Sequence, residues 1–239
     1  MALSNNFIYE TAKIFSSARD REFFLRVYQV PEDIYIRRLC NINFTGRFYV
    51  LDAGCGFGQW SMALARLNKQ VYSIELDINR LRGAINVAKK KNIENIEFVL
   101  GDIEDINVPA ETFDAIFCYS TIYYTDFRKT LKEFHRVLKP DGKLYFSTNG
   151  LGWYIYNIIE RPYQSRDFDP RRMAIEAIKN SLEFYNNGNA ILGGSIIMPR
   201  DIVVQILSLI GFSDIIADGE ARIVVIPRGE PCVSFFKES

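Results

Sequence analysis

An α/β fold built on a mostly parallel sheet is predicted by three observations. Short apolar runs recur between residues 48 and 147 and alternate with helix-length amphipathic segments. Each run is continuously apolar, as strands covered on both faces are, not alternating apolar and polar. A glycine-rich segment, Val50 to Gly58, stands where the first run passes into its helix. Strand, helix and strand in alternation require right-handed crossovers and hence a parallel sheet.

The elements follow in order. Asn5 to Asn41 reads as helical, with Pro31 at a first-turn position ahead of Glu32 and Asp33, where acids favour the positive helix end. The strand runs are Phe48–Leu51, Val71–Ile74, Ile96–Leu100, Ala115–Cys118 and Lys143–Ser147. A helix is expected over Gln59–Asn68. A second opens at Asp77, a good N-cap, and puts Leu81, Ala84, Ile85 and Ala88 on one face. A third opens near Asp126 and groups Phe127, Leu131, Phe134 and Leu138 before Pro140-Asp141-Gly142 turns the chain. After Asn149 the rhythm breaks. Gly150 to Met198 holds an aromatic segment, an arginine-rich loop and a helix from about Met173 to Tyr185. A helix over Arg200–Ile210 and two or three strands ending near Phe235-Phe236 close the chain. One domain is expected over 1–239, comprising N-terminal helices (1–46), a ligand-binding core (47–149), a capping insertion (150–198) and a closing helix with strands (199–239).

Composition excludes several classes. Of 239 residues 48% are hydrophobic and 14% aromatic, too apolar for a disordered chain. Lys plus Arg and Asp plus Glu each total 29, so the net charge is zero and nothing global advertises a nucleic-acid partner. Cys40, Cys55, Cys118 and Cys232 are scattered and a single histidine is present, so no metal site is expected. Met1 to Asn6 lacks a basic region leading into an apolar core, and the longest apolar stretch, Ile202 to Phe212, is interrupted and short. No signal peptide, no membrane span and a cytoplasmic setting are the expectations.

The chemistry sits in Leu51-Asp52-Ala53-Gly54-Cys55-Gly56-Phe57-Gly58. Glycines here allow a tight turn, close approach of a ligand and access to the free N–H groups of the helix. By itself the pattern also fits a plain turn. A dinucleotide fingerprint wants its third glycine at position 59, which is Gln59; the glycine comes one residue earlier. Asp52 would gain little beside a diphosphate, whereas a ligand with an amino group and no phosphate suits it. S-adenosyl-L-methionine is such a ligand.

Four further motifs follow at strand ends: Glu75 in Ile74-Glu75-Leu76, Gly101-Asp102-Ile103, Phe113-Asp114-Ala115-Ile116, and Arg136-Val137-Leu138-Lys139-Pro140-Asp141-Gly142. In this order the five resemble the class I S-adenosyl-L-methionine-dependent methyltransferases, small-molecule branch, over about Tyr49 to Asn149. Asp141 departs from the family, where glycine is more usual. The resemblance implies a Rossmann-like, doubly wound, mostly parallel seven-stranded sheet with an antiparallel final strand and a helical lid insertion. It further implies a cofactor site of Asp52, Gly54, Gly56, Glu75, Leu76, Asp102, Ile103 and Tyr119. In it Glu75 would accept from the ribose hydroxyls, Asp102 from the adenine amino group, and Leu76 and Ile103 would sandwich the ring.

On the acceptor side Tyr119, Tyr123 and Tyr124 are the candidates for positioning the reacting group, although packing at a strand end would explain any one of them. Relatives often carry histidine at Tyr123 or Tyr124, so that base is missing. His135 belongs to a helix away from the site. Trp153, Tyr154, Tyr156 and Arg161 are the candidates for binding substrate. At helical spacing the three aromatics could equally form the insertion's own core, and Arg161, Arg166, Arg171 and Arg172 could be paired with Glu160, Asp167 and Asp169. The function expected is methyl transfer to oxygen or nitrogen of a small polar metabolite, a sugar or phosphorylated compound, with S-adenosyl-L-homocysteine as product. RNA or protein methylation, or a non-catalytic cofactor-binding subunit, are the rivals. The sequence is silent on oligomeric state.

Overall fold

A computed structural model describes residues 3–162, 164, 168–189, 194–218 and 222–225. The expected helical N-terminus is three helices, α1 (Asn5–Ala12), α2 (Ala18–Gln29) and α3 (Glu32–Asn41). Ser4 and Ser17 cap the first two by accepting from backbone amides. The core then runs β1 (Tyr49–Ala53), α4 (Gln59–Leu67), β2 (Gln70–Glu75), α5 (Ile78–Lys91), β3 (Ile96–Leu100), β4 (Phe113–Cys118), a 3-10 turn (Ile122–Tyr124), α6 (Phe127–Val137) and β5 (Leu138–Ser147). The insertion supplies α7 (Leu151–Glu160) and α8 (Pro170–Asn187), and α9 (Arg200–Ile210), β6 (Ile215–Asp218) and β7 (Arg222–Val225) complete the described chain.

The caps read from the sequence are made. The Asp77 carboxylate accepts from the amides of Asn79 and Arg80, and that of Asp126 from the amide of Arg128. Strand order is β3-β2-β1-β4-β5-β7-β6. The first five strands are parallel, β7 is antiparallel to β5, and β6 is antiparallel to β7. The expected Rossmann-like, mostly parallel sheet with an antiparallel last strand is therefore present.

Two cores lie on the two faces. Val50, Val71, Ala115, Phe117 and Tyr145 face α1 to α5, packing on Phe24, Phe57, Trp60 and Val87. Leu51, Tyr72, Ile116, Leu144 and Phe146 face α6, α8 and α9, packing on Phe127, Phe134, Phe184, Val203 and Leu207. Strand alternation sends neighbours to opposite faces, so a sheet covered twice needs continuous apolar runs.

Four local expectations are corrected. Pro140-Asp141-Gly142 does not separate α6 from a strand starting at Lys143: β5 begins at Leu138. Its register with β4 jumps from Phe113↔Leu138 to Ala115↔Lys143, so the turn residues form a bulge inside the strand. Its left-handed residue is Asp141, φ 61°, a conformation aspartate tolerates. β3 is an edge strand and only half covered, with Leu100 exposed. Phe48 lies before β1 and is exposed under the Lys69 ammonium, 4.4 Å from the ring centre, not in the core. The α8 helix exceeds the expected Met173–Tyr185 because Asp169 caps it and Pro170 fits its first turn. Phe235-Phe236 and Cys232 lie outside the described residues.

Candidate functional site

Strand order reverses between β1 and β4, the place where open α/β sheets leave a crevice at their carboxyl ends. The glycine segment occupies that point. Gly54, Gly56 and Gly58 have φ of 73°, 56° and 82°, all left-handed. A methyl on Gly54 would fall 2.2 Å from the Thr121 side chain, and one on Gly58 would fall 2.7 Å from Ala84. Those two glycines are thus demanded by packing as well as by the turn. Gly56 differs: nothing lies within 4 Å of where its Cβ would be, so its outer face is open to a ligand. The Gly54 and Cys55 amides donate to the Ile74 carbonyl, which ties the loop to β2.

Two carboxylates flank the loop. Asp52, buried at the end of β1, accepts from Ser61 Oγ at 2.6 Å. Burial pushes its pKa up to about 7, with the Ser61 hydrogen bond opposing and the Glu75 charge adding to the rise. Glu75 ends β2 and accepts from the Gly56 amide at 2.8 Å and the Asp77 amide at 3.0 Å. Each oxygen keeps an acceptor position for a ligand, since a carboxylate has about four. Leu76 beside it is exposed, whereas Ile103 is buried in the core below β3 and β4. Asp102 accepts from the Glu104 amide at 2.9 Å, an Asx turn that fixes its carboxylate after β3.

The tyrosines expected on the acceptor side divide between the two faces. Tyr119 packs among Trp60 and Phe117, ring centres 4.8 and 6.2 Å apart, on the face of the N-terminal helices. Tyr123 and Tyr124 lie in the 3-10 turn with ring centres 4.6 Å apart. Burial raises the Tyr123 phenol well above its ordinary value, with Tyr124 and Tyr154 adding to the shift. Tyr154 is wholly buried and forms the insertion's small core with Ala174, Ala177 and Ile197. Trp153 and Tyr156, from the same helix, are exposed. Helical spacing puts them on other sides of α7.

Two of the insertion's arginines are engaged in structure. Arg171 Nε donates to the Ile158 carbonyl and Arg172 pairs with Glu176 across one turn. Arg161 is exposed and ends α7 in a left-handed conformation. Arg166 and Asp167 lie outside the described residues. His135 is exposed on α6, edge-on to Phe212 and far in the fold from the glycine loop. Among the described residues no cluster of three or more metal-ligating side chains occurs, and no helix is long and apolar enough to cross a membrane.

Sequence reasoning missed several participants. Tyr28 of α2 donates to the Phe57 carbonyl at 2.5 Å, bracing the loop from 29 residues away. Thr121 Oγ1 donates to the Gly54 carbonyl at 3.2 Å. The Ser120 amide donates to Ser147 Oγ at 2.8 Å, joining the ends of β4 and β5. Ser120 and Thr121 were legible as members of the Cys118–Tyr124 segment that follows the fourth strand, but their partners were not.

A family model described as "Methyltransferase domain" matches residues 51–146. The chain is 35% identical over 102 residues to a malonyl-[acyl-carrier protein] O-methyltransferase of Yersinia pestis, covering 42% of this chain and 36% of that protein. It is 33% identical over 118 residues to a ubiquinone biosynthesis O-methyltransferase of Coxiella burnetii, covering 48% of this chain and 50% of that one. It thus spans about a third to a half of the length of these curated relatives. The fold matches a solved SAM-dependent methyltransferase from Aquifex aeolicus with a TM-score of 0.57 at 18% identity, covering 88% of this chain and 97% of the other.

Proposed function

We propose that the protein transfers a methyl group from S-adenosyl-L-methionine to an oxygen or nitrogen of a small polar metabolite, leaving S-adenosyl-L-homocysteine, a reading supported by the match of residues 51–146 to a methyltransferase domain. The observation that carries this reading is the pair of carboxylates around an open glycine loop. Asp52 and Glu75 would repel the diphosphate of a dinucleotide, while they suit a ligand with an ammonium group and vicinal hydroxyls.

When bound, that cofactor supplies a methyl carbon on a sulfonium, open to in-line displacement by a nucleophile. The chain's own groups bind and orient. Glu75 stays fixed by the Gly56 and Asp77 amides and offers its remaining lone pairs to the ribose hydroxyls. Asp102, held by its turn, accepts from the adenine amino group, and the Ile103 amide would donate to a ring nitrogen. Exposed Leu76 covers one face of the ring. Asp52 acts from beneath the loop as the counter-charge for the ammonium, oriented by Ser61. Tyr123 and Tyr124 stand at the acceptor side, and α7 and α8 shield it from water.

Calorimetry tests this reading. S-adenosyl-L-homocysteine should bind and NAD should not. Glu75→Ala should weaken binding by about ten- to a hundredfold, as expected for lost hydrogen bonds to a charged group. Glu75→Gln, which can still accept from the Gly56 amide, separates a loosened loop from a lost ligand contact. A preference for NAD would overturn the family's cofactor for this chain.

A further inference from the structure

Resting on the methyl-transfer reading, we infer that the acceptor subsite is an uncharged, hydroxyl-lined one that takes a neutral alcohol or phenol, its oxygen oriented by Ser120, Ser147 and Tyr123. Four observations meet at the carboxyl ends of β4 and β5. Ser120 is exposed and holds a left-handed backbone, φ 56°, unusual for a serine and found preferentially at functional sites. Its amide is bound by Ser147 Oγ at 2.8 Å, and the two hydroxyls stand 3.5 Å apart. Tyr123, three residues on from Ser120, packs against Tyr124 with ring centres 4.6 Å apart, and Ser120, Tyr124 and Tyr154 all act on its phenol. Behind them the Tyr154 hydroxyl is buried beside Ser195 and Asn149.

This cluster adjoins the donor side directly. Thr121, next in sequence to Ser120, touches Gly54 of the glycine loop. The groups that act on Tyr123 and Tyr154 are tyrosine, serine and asparagine side chains, not cations or carboxylates. Three described arginines of α6 and α8 are engaged elsewhere, Arg128 with Asp126, Arg171 with the Ile158 carbonyl and Arg172 with Glu176, while Arg161 is exposed at the C-terminal end of α7, the end opposite Gly150 and the β5 strand end. A phosphate or carboxylate acceptor would need such a cation to repay its desolvation. A neutral hydroxyl needs only donors and acceptors, and the cluster offers both.

In the transfer, a lone pair of the acceptor oxygen forms the new C–O bond as the C–S bond breaks and its pair returns to sulfur. The acceptor's proton leaves through the exposed Ser120 hydroxyl to water. The buried tyrosines remain protonated, so they act as hydrogen-bond donors that orient the oxygen and not as bases.

The experiment supplies labelled S-adenosyl-L-methionine and matched acceptor pairs: catechol with 3,4-dihydroxybenzoate, myo-inositol with inositol 1-phosphate, and glucose with glucose 6-phosphate. Label should enter at least one neutral member with kcat/KM at least tenfold above its charged partner. Ser147→Ala and Tyr123→Phe should each lower kcat/KM tenfold or more, with S-adenosyl-L-homocysteine affinity within twofold of the parent, and Ser147→Thr should restore activity. Transfer favouring the charged members, none to any neutral member, or indifference to both variants overturns the uncharged subsite. Failure of the parent protein to bind S-adenosyl-L-homocysteine overturns the methyltransferase reading instead, so the two failures are distinct.

Discussion

Asp52 shows what one residue's surroundings decide. On sequence it is an acid ahead of a glycine loop; in the structure it is buried, with Ser61 as its hydrogen-bond partner and a pKa of about 7. Its folded value lies above its unfolded one, so between about pH 4 and pH 7 the folded state holds a proton that the unfolded state has lost. Stability therefore falls as pH rises through that window, by up to about 1.4 kcal/mol per pH unit. Asp52→Asn should remove that slope. Thermal unfolding from pH 5 to 8 should show the parent losing stability relative to D52N, and parallel curves would mean the carboxylate is already ionised at pH 5. An ammonium-bearing ligand favours the charged form, so its binding to the parent should release protons near neutral pH, detectable as a buffer-dependent heat.

At the scale of elements, the N-terminal helices do more than their amphipathic pattern suggests. Phe15 and Phe24 pack on Phe57 of the glycine loop with ring centres 5.0 and 5.5 Å away. Asp20 of α2 bridges Arg80 of α5 at 2.8 Å, and the Arg80 guanidinium lies over the Phe57 ring. With the Tyr28 hydrogen bond these contacts make α2 and the turn before it a clamp on the loop. Tyr28→Phe removes a donor from a part-buried carbonyl and should cost about 1–3 kcal/mol of stability. Hydrogen exchange should rise in residues 54–58 ahead of the rest of the sheet; uniform acceleration would mean α2 only adds bulk stability. Helix positions at 5–41 were legible from pattern, but their partner was not. A phenol and a carbonyl 29 residues apart leave no periodic signal.

Over the whole molecule, the doubly wound sheet separates tasks by face. The face under α6, α8 and α9 is mostly apolar packing, and Phe134, wholly buried there, anchors α6. Phe134→Ala should cost about 3–5 kcal/mol, read by denaturant unfolding, while S-adenosyl-L-homocysteine affinity stays near the parent value because the loop binds on other elements. A comparable loss of affinity would show that the two faces are coupled. The aromatic excess of the composition divides the same way. Phe117 and Tyr145 stack in one core, Phe113 and Phe146 fill the other, and Tyr123, Tyr124 and Tyr154 gather where the insertion meets the strand ends.

The sequence by itself determined the strand–helix alternation, the caps at Asp77 and Asp126, and the glycine, glutamate and aspartate signals at the ends of β1, β2 and β3. These are local: each depends on backbone conformation or periodicity within a few residues, and side-chain type reports it directly. Tertiary structure alone decided that β3 is an exposed edge, that Tyr119 parts from Tyr123, that Asp141 sits in a bulge and that Ser120 meets Ser147. Each of those depends on which segments become neighbours, 27 residues apart in the case of the two serines. Proximity of that kind is set by how two faces of a sheet are filled, a property of the whole chain's packing that no short window of residues contains.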